Sequence, residues 1–151
     1  MDISEEEIRQ HYDAMPVKYK YGIRHIKVKS QDEANEILAE LKKGADFTQL
    51  AEQYSTDLSM HNKGWLGYLR VSQMDSGLSS AAQSLQPGAF YHQPIQTGAA
   101  WRLVLLEGKQ ALDKTPYSRA KDWMLNEIQQ TRVQNMLAEL RQQAHIEIYV
   151  P

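Results

Sequence analysis

His25 lies at the centre of the stretch YGIRHIKVKS, residues 21–30, with Lys27 two positions further on. Read as a strand, Ile23, His25 and Lys27 point to one face, and Arg24, Ile26 and Val28 to the other. A histidine so placed ligates a metal, serves a nucleophile, or joins a hydrogen-bond network that ties strands together. The other histidines are His11, His61, His92 and His145, and no two share metal-ligand spacing. No metal site is expected. Ser55, Asp57 and His61 contain the residue types of a hydrolytic triad, but no nucleophile-elbow sequence surrounds them. Trp65, Tyr68, Tyr91 and Trp101 are read two ways: as lining for an apolar peptide, or as core aromatics.

The bulk composition narrows the chemistry further. The 151 residues are 42% apolar and 24% charged with a net charge of −2, an ordinary globular balance. With no long basic run, nucleic acid and anionic lipid are not expected partners. Cysteine is absent, which excludes disulfides, thiolate metal sites and a cysteine nucleophile. No stretch approaches the length needed to span a bilayer. The first residues, MDISEEEIRQ, are acidic and do not read as a signal peptide.

The elements that must position these side chains are marked by caps and breakers. Ser4 with Glu7 forms a capping-box pattern, flanked by Ile3 and Ile8 at staple positions, and Pro16 ends that helix. A strand spans about Tyr19 to Lys29. Helices are expected over 31–43, stopped by Gly44, and over DFTQLAEQYS. WLGYL reads as a strand, SGLSSAAQSL as a short helix, AFYHQPIQT as extended chain and WRLVLLEG as a strand. The order β-α-α-β-α-β-β is an α+β unit. Thr115 as cap and Pro116 in the first turn open a long helix to about Ala144, and HIEIYV alternates as a final strand. At 100° per residue Tyr117, Ala120, Met124 and Ile128 share one side of that helix. Val133, Met136, Leu137, Leu140 and Ala144 lie nearly opposite. The apolar face therefore swaps near Thr131. Either the helix breaks there or its halves pack against different things, the N-terminal helix being one candidate.

From about Gly22 to Gly108 the chain resembles the parvulin family of peptidyl-prolyl isomerases. The resemblance rests on RHIKV, GADFTQLAEQYSTD, GWLGYL, Met74 with Leu78, LQPGAFYHQPIQT and WRLVLLEG, in that order. The flanks look like those of bacterial envelope parvulins, in which they form a chaperone lobe. This implies a parvulin-like four-stranded sheet with surrounding helices over residues 19–110. It also implies flanking helices over 1–18 and 114–151 that together make such a lobe, and a periplasmic or cell-envelope location. The implied activity is isomerisation of X–Pro bonds in unfolded polypeptides, non-covalently and without a cofactor.

The resemblance also distributes roles. Leu66, Met74 and Leu78 fall where the family builds its proline slot, with Leu78 where phenylalanine is common. His25 falls on the first active-site histidine. Thr97 takes the position of a threonine that bonds that histidine, and Asp57 the cysteine-or-aspartate position. Four features depart from the pattern. The second histidine is Arg102, a permanent cation that either pairs with Asp57 and keeps a network of another kind or floods the site with charge and suppresses catalysis. Lys63-Gly64-Trp65 replaces glycine-glycine-aspartate, which sets Trp65 at the edge of the substrate site. Lys27 stands where an apolar residue is common, and Ala99-Ala100 precedes Trp101 in place of a glycine-containing pair. The loop KSQDE is too weakly cationic to hold a phosphate, so a phosphoserine-proline preference is not expected. Two readings follow: an isomerase-chaperone, or a parvulin-fold module that binds extended segments or a partner protein without turnover. The swapped face also suits a homodimer that exchanges the C-terminal helix, since hinge-linked helices swap readily.

Overall fold

A computed structural model describes residues 2–149, with side chains described through Ala144. By contact the chain forms two compact units: one runs from Lys18 to Leu112, and the other joins the two ends of the chain, up to Val17 and from Asp113.

The central unit is built on a four-stranded antiparallel sheet in the order β2-β1-β4-β3. Its strands are β1 (Tyr19–Val28), β2 (Trp65–Arg70), β3 (Ile95–Thr97) and β4 (Ala100–Ala111). Three helices of this unit cover it: α2 (Gln31–Lys42), α3 (Phe47–Tyr54) and α4 (Ser76–Ser84), numbered after α1 (Glu5–Asp13) of the other unit. Each of the three starts on a side-chain cap. Ser30 accepts from Glu33 N–H, Asp46 from Thr48 N–H and Asp75 from Leu78 N–H. α2 ends as expected at Gly44, whose φ of +100° suits glycine.

β1 runs between two neighbours and is buried on both faces, so its alternation sorts side chains into two cores. Ile26 and Val28 pack with Ile37, Leu38, Leu41, Phe47 and Leu50 under α2 and α3. Tyr21 and Ile23 pack with Leu78, Ala82, Val104 and Leu106 under α4. His25 belongs to the second face. The register of β1 on β2 slips at Ile23/Arg24, where the β2 partners jump from Gly67 to Trp65. The skipped residue is Leu66, and Gly67 takes φ +95° to make the bulge. The bulge sends Leu66 to the α4 face while Trp65 and Tyr68 remain together on the other side.

The second unit pairs α1 with α5 (Tyr117–Tyr149). Ile8, Ala120 and Met124 form its buried centre, bordered by Ile3, Tyr12, Met15, Tyr117 and Ile128. Ser4 caps α1 as read, accepting from Glu7 N–H at 3.1 Å, but the Glu7 carboxylate pairs with Arg132 instead of closing the box. α5 begins one residue later than expected, and the Pro116 carbonyl accepts from Ala120 N–H at 3.0 Å. The expected final strand does not form. Residues 145–149 continue the helix, because alternation without a neighbouring strand to pair with cannot outweigh the helical ladder already running into it. Val150 lies outside the described residues. α5 is unbroken at Thr131, so the face swap is real but the helix carries it intact. Beyond it, Val133, Met136, Leu137 and Leu140 are about half exposed.

Candidate functional site

β2 covers β1 only as far as Arg24, which leaves the β1 edge at His25–Lys27 for other backbone to complete. The segment after α3 does so. Ser55 Oγ accepts from Lys27 N–H at 3.1 Å, Thr56 N–H donates to the Lys27 carbonyl at 2.8 Å, and His25 N–H donates to the Gly64 carbonyl at 2.9 Å. This strap fixes where Asp57 lies. Its carboxylate meets His25 Nε2 at 2.7 Å and also accepts from Ser59 N–H at 3.1 Å and from the hydroxyls of Ser59 and Ser55.

A carboxylate only accepts, so a neutral His25 carries its proton on Nε2 and leaves Nδ1 as a bare acceptor. His25 is 5% exposed. Burial holds its pKa below the usual histidine value. The Asp57 carboxylate opposes that shift, and the charges of Arg102 and Lys27 reinforce it. His25 is therefore neutral at neutral pH. Burial pushes Asp57 upward, but its hydrogen bonds from Ser59 and the contact with His25 outweigh this and leave its carboxyl below the ordinary range.

Arg102 sits on β4 opposite Lys27 of β1 and Ile95 of β3. Its guanidinium pairs with Asp75, the cap of α4, and not with the expected Asp57, which is already enclosed by four donors. Burial pushes Asp75 up, whereas the Leu78 N–H and Arg102 pull it below its usual value with the larger combined effect. The anticipated bond between Thr97 and His25 is absent. Thr97 Oγ1, His25 Nδ1 and Arg102 Nε are each buried without a partner. No group of three or more histidine, aspartate or glutamate side chains among the described residues is arranged to hold a metal ion.

The apolar part lies beside this network on the same face. Leu66, Met74, Tyr91 and Ile95 are partly exposed and pack on the buried Ile23, Leu78, Val104 and Leu106. Leu78, 3% exposed, lies fully within this cluster. Trp65 does not join it. Alternation before the Gly67 bulge turns its ring onto Tyr68, 5.5 Å between centroids, and under the Arg24 guanidinium on the opposite face. Arg24 in turn pairs with Glu107.

The sequence reading did not single out Ser59 or Asp75, and it named Gly64 only as part of Lys63-Gly64-Trp65, without a role for its conformation. Gly64 has φ +81°, and a Cβ there would collide with the His25 carbonyl oxygen. Asp75 carried a signal, since aspartate before Ser-Gly and an apolar turn is a helix-start pattern. Ser59 follows Asp57 by two residues, the spacing of an Asx-type turn.

With this geometry in hand, comparisons with known proteins fall into place. Residues 15–108 match the model of the rotamase family, described as the PPIC-type PPIase domain. Foldase protein PrsA 2 of Bacillus cereus is 31% identical over 153 residues, covering 97% of this chain and 51% of that protein. A crystal structure of the peptidylprolyl isomerase PrsA of Bacillus anthracis superposes with a TM-score of 0.59 at 30% identity, covering 85% of this chain and 56% of that one. The SurA-like chaperone structures of Campylobacter jejuni share the fold at TM-score 0.61 and 24% identity, covering 100% of this chain and 64% of that one. The chain spans about half the length of the curated relatives it matches. No helix among the described residues is long and apolar enough to cross a membrane. The family match over the sheet and its helices, together with a relative at 31% identity over nearly the whole chain, shows that this chain belongs to the PPIC-type, parvulin-like peptidyl-prolyl cis-trans isomerase family.

Proposed function

We propose that this protein accelerates cis-trans isomerisation of X–Pro bonds in unfolded polypeptides and serves as a folding chaperone in the cell envelope. The observation that carries this is the neutral, Asp57-anchored imidazole of His25 on the same sheet face as the partly exposed Leu66, Met74 and Ile95. The uncatalysed barrier is about 18–20 kcal/mol because the amide loses resonance as it twists, and the reaction takes tens to hundreds of seconds. No bond is made or broken. A catalyst therefore needs a slot for the prolyl ring and surroundings that favour the twisted amide over the planar, charge-separated one. The apolar floor of Leu78, Ile23 and Val104 supplies the first requirement. His25 held neutral in a buried network, with Asp57 consumed by its own donors, supplies the second.

The test is protease-coupled isomerisation of proline tetrapeptides with several residues before proline. A rate equal to the spontaneous one across the series refutes catalysis. The unit that joins α1 and α5 forms the chaperone lobe in this reading. Its half-exposed Val133, Met136, Leu137 and Leu140 offer an apolar surface to unfolded clients or to a second copy of the chain. Suppression of client aggregation by the full chain but not by residues 18–112 supports the lobe, and equal protection by both refutes it. Light scattering decides the homodimer: a monomer mass at high concentration removes it. Fractionation of native cells tests the envelope location.

A further inference from the structure

We propose that Lys27 makes this site selective for an acidic residue immediately before the proline. The inference rests on the slot-and-imidazole reading above and adds the substrate class.

Along β1, Ile23, His25 and Lys27 occupy the same face in that order, each pair separated by about 6.6 Å of strand. Ile23 lies in the slot floor with Leu78. A prolyl ring over Ile23 with its amide over His25 directs the preceding residue along the strand toward Lys27. The charge inventory of this face is uneven. Arg102 is neutralised by Asp75. Asp57 accepts four hydrogen bonds, including the one from His25. Lys27 has no carboxylate within ion-pair reach among the described residues. It stands directly opposite Arg102 across the β1–β4 pair, and Arg102 already has Asp75 as its counter-charge. Lys27 is only partly exposed, and its charge, after burial and Arg102, adds to what holds the His25 pKa down. A carboxylate arriving beside it gains an ion pair, whereas a cationic side chain meets a like charge.

The experiment compares Glu-Pro, Gln-Pro and Lys-Pro tetrapeptides on the full chain, reading kcat/KM by coupled isomerisation and affinity by NMR titration. Glu over Gln should be favoured about two- to fivefold, the range of a partly exposed ion pair, with Lys-Pro the poorest. The preference should shrink as salt rises. Lys27→Met should level Glu against Gln, and Lys27→Glu should favour Lys-Pro. The Lys27 backbone bonds to Ser55 and Thr56 do not involve its side chain, so both variants retain the strap. An unchanged Glu-to-Gln ratio in both variants overturns the proposal. If no peptide is turned over, the isomerase reading fails, and the ratio of affinities alone decides whether Lys27 selects.

Discussion

Arg102 and Asp75 form an ion pair whose two ends live in different solvents, and this predicts an asymmetry under mutation. The Arg102 side chain is 8% exposed and that of Asp75 is 51% exposed. Replacing Asp75 by Asn keeps a good N-cap for α4 but strands a buried guanidinium, whose Nε already lacks an acceptor. Losing a charged hydrogen bond costs about 1.5–3 kcal/mol. Breaking a fully buried pair costs about 3–5 kcal/mol, and the half-exposed partner here places the loss below that range. Asp75→Asn should therefore destabilise the Lys18–Leu112 unit by about 1.5–3 kcal/mol. Arg102→Met leaves a carboxylate that water reaches and that Leu78 N–H still satisfies, while the methionine packs against Ile95 and the sheet. Its cost should lie within about 1 kcal/mol of zero, the usual worth of a pair that solvent screens.

The assay is urea unfolding followed by NMR resonances of Lys18–Leu112, because two units need not unfold together. In the double variant the Asp75→Asn penalty should vanish, since no buried charge remains to be stranded. If Arg102→Met proves as costly as Asp75→Asn, or the double variant as unstable as the two losses added, the desolvation argument is wrong.

His25 predicts a pH dependence. Its pKa is lowered by burial, so the folded state binds its proton less readily than the unfolded chain. The stability this gives is complete above the unfolded value of about 6.5 and falls as pH drops through that value toward the folded one. Asp57 and Asp75, both lowered, hold their contribution above the unfolded carboxylate range and lose it only in stronger acid. Stability between pH 7 and 5 should thus decline in the natural sequence and stay flatter in His25→Gln; equal slopes in urea titrations refute this. Gly64→Ala should shift the His25 and Asp57 resonances and lower isomerisation, because the added Cβ meets the His25 carbonyl oxygen; unchanged spectra refute it. Leu78→Ala should cost about 2–5 kcal/mol of stability as a buried truncation. Leu66→Ala, partly exposed, should cost less than Leu78→Ala yet weaken proline-peptide binding more per kcal/mol lost, as calorimetry with melting curves would show.

What the sequence made legible follows from how local each feature is. Caps, glycine stops and two-residue alternation act over a few positions. Helices beginning near Gln31, Phe47 and Ser76 and strands at Tyr19 and Trp65 therefore emerged close to their observed bounds. The final strand misled because HIEIYV alternates locally, while a strand also needs a neighbour, which no local pattern reveals. The placing of Trp65 failed for a related reason. Its side relative to Leu66 is decided by one bulge, and that bulge is visible only in how β2 registers on β1.

The polar network was the least legible part, because its partners are chosen by competition in space. Asp57 stood at the expected position, and pairing with the Arg102 cation was a sound inference from charge alone. It failed because the strap that positions Asp57 also brings Ser55 and Ser59 to it, on the side where His25 of β1 meets it, so its carboxylate already accepts four hydrogen bonds, while Asp75 lies within reach of Arg102. Asp75 lies 27 residues from Arg102 and has one oxygen committed to the α4 cap and the other free. Replacing a histidine by arginine on β4 is thus matched by an acid on the facing helix. The pair links the sheet to the helix that carries Leu78. Lys27, on the same strand face, has no ion-pair partner among the described residues, and the proposed preference for an acidic residue before proline rests on it.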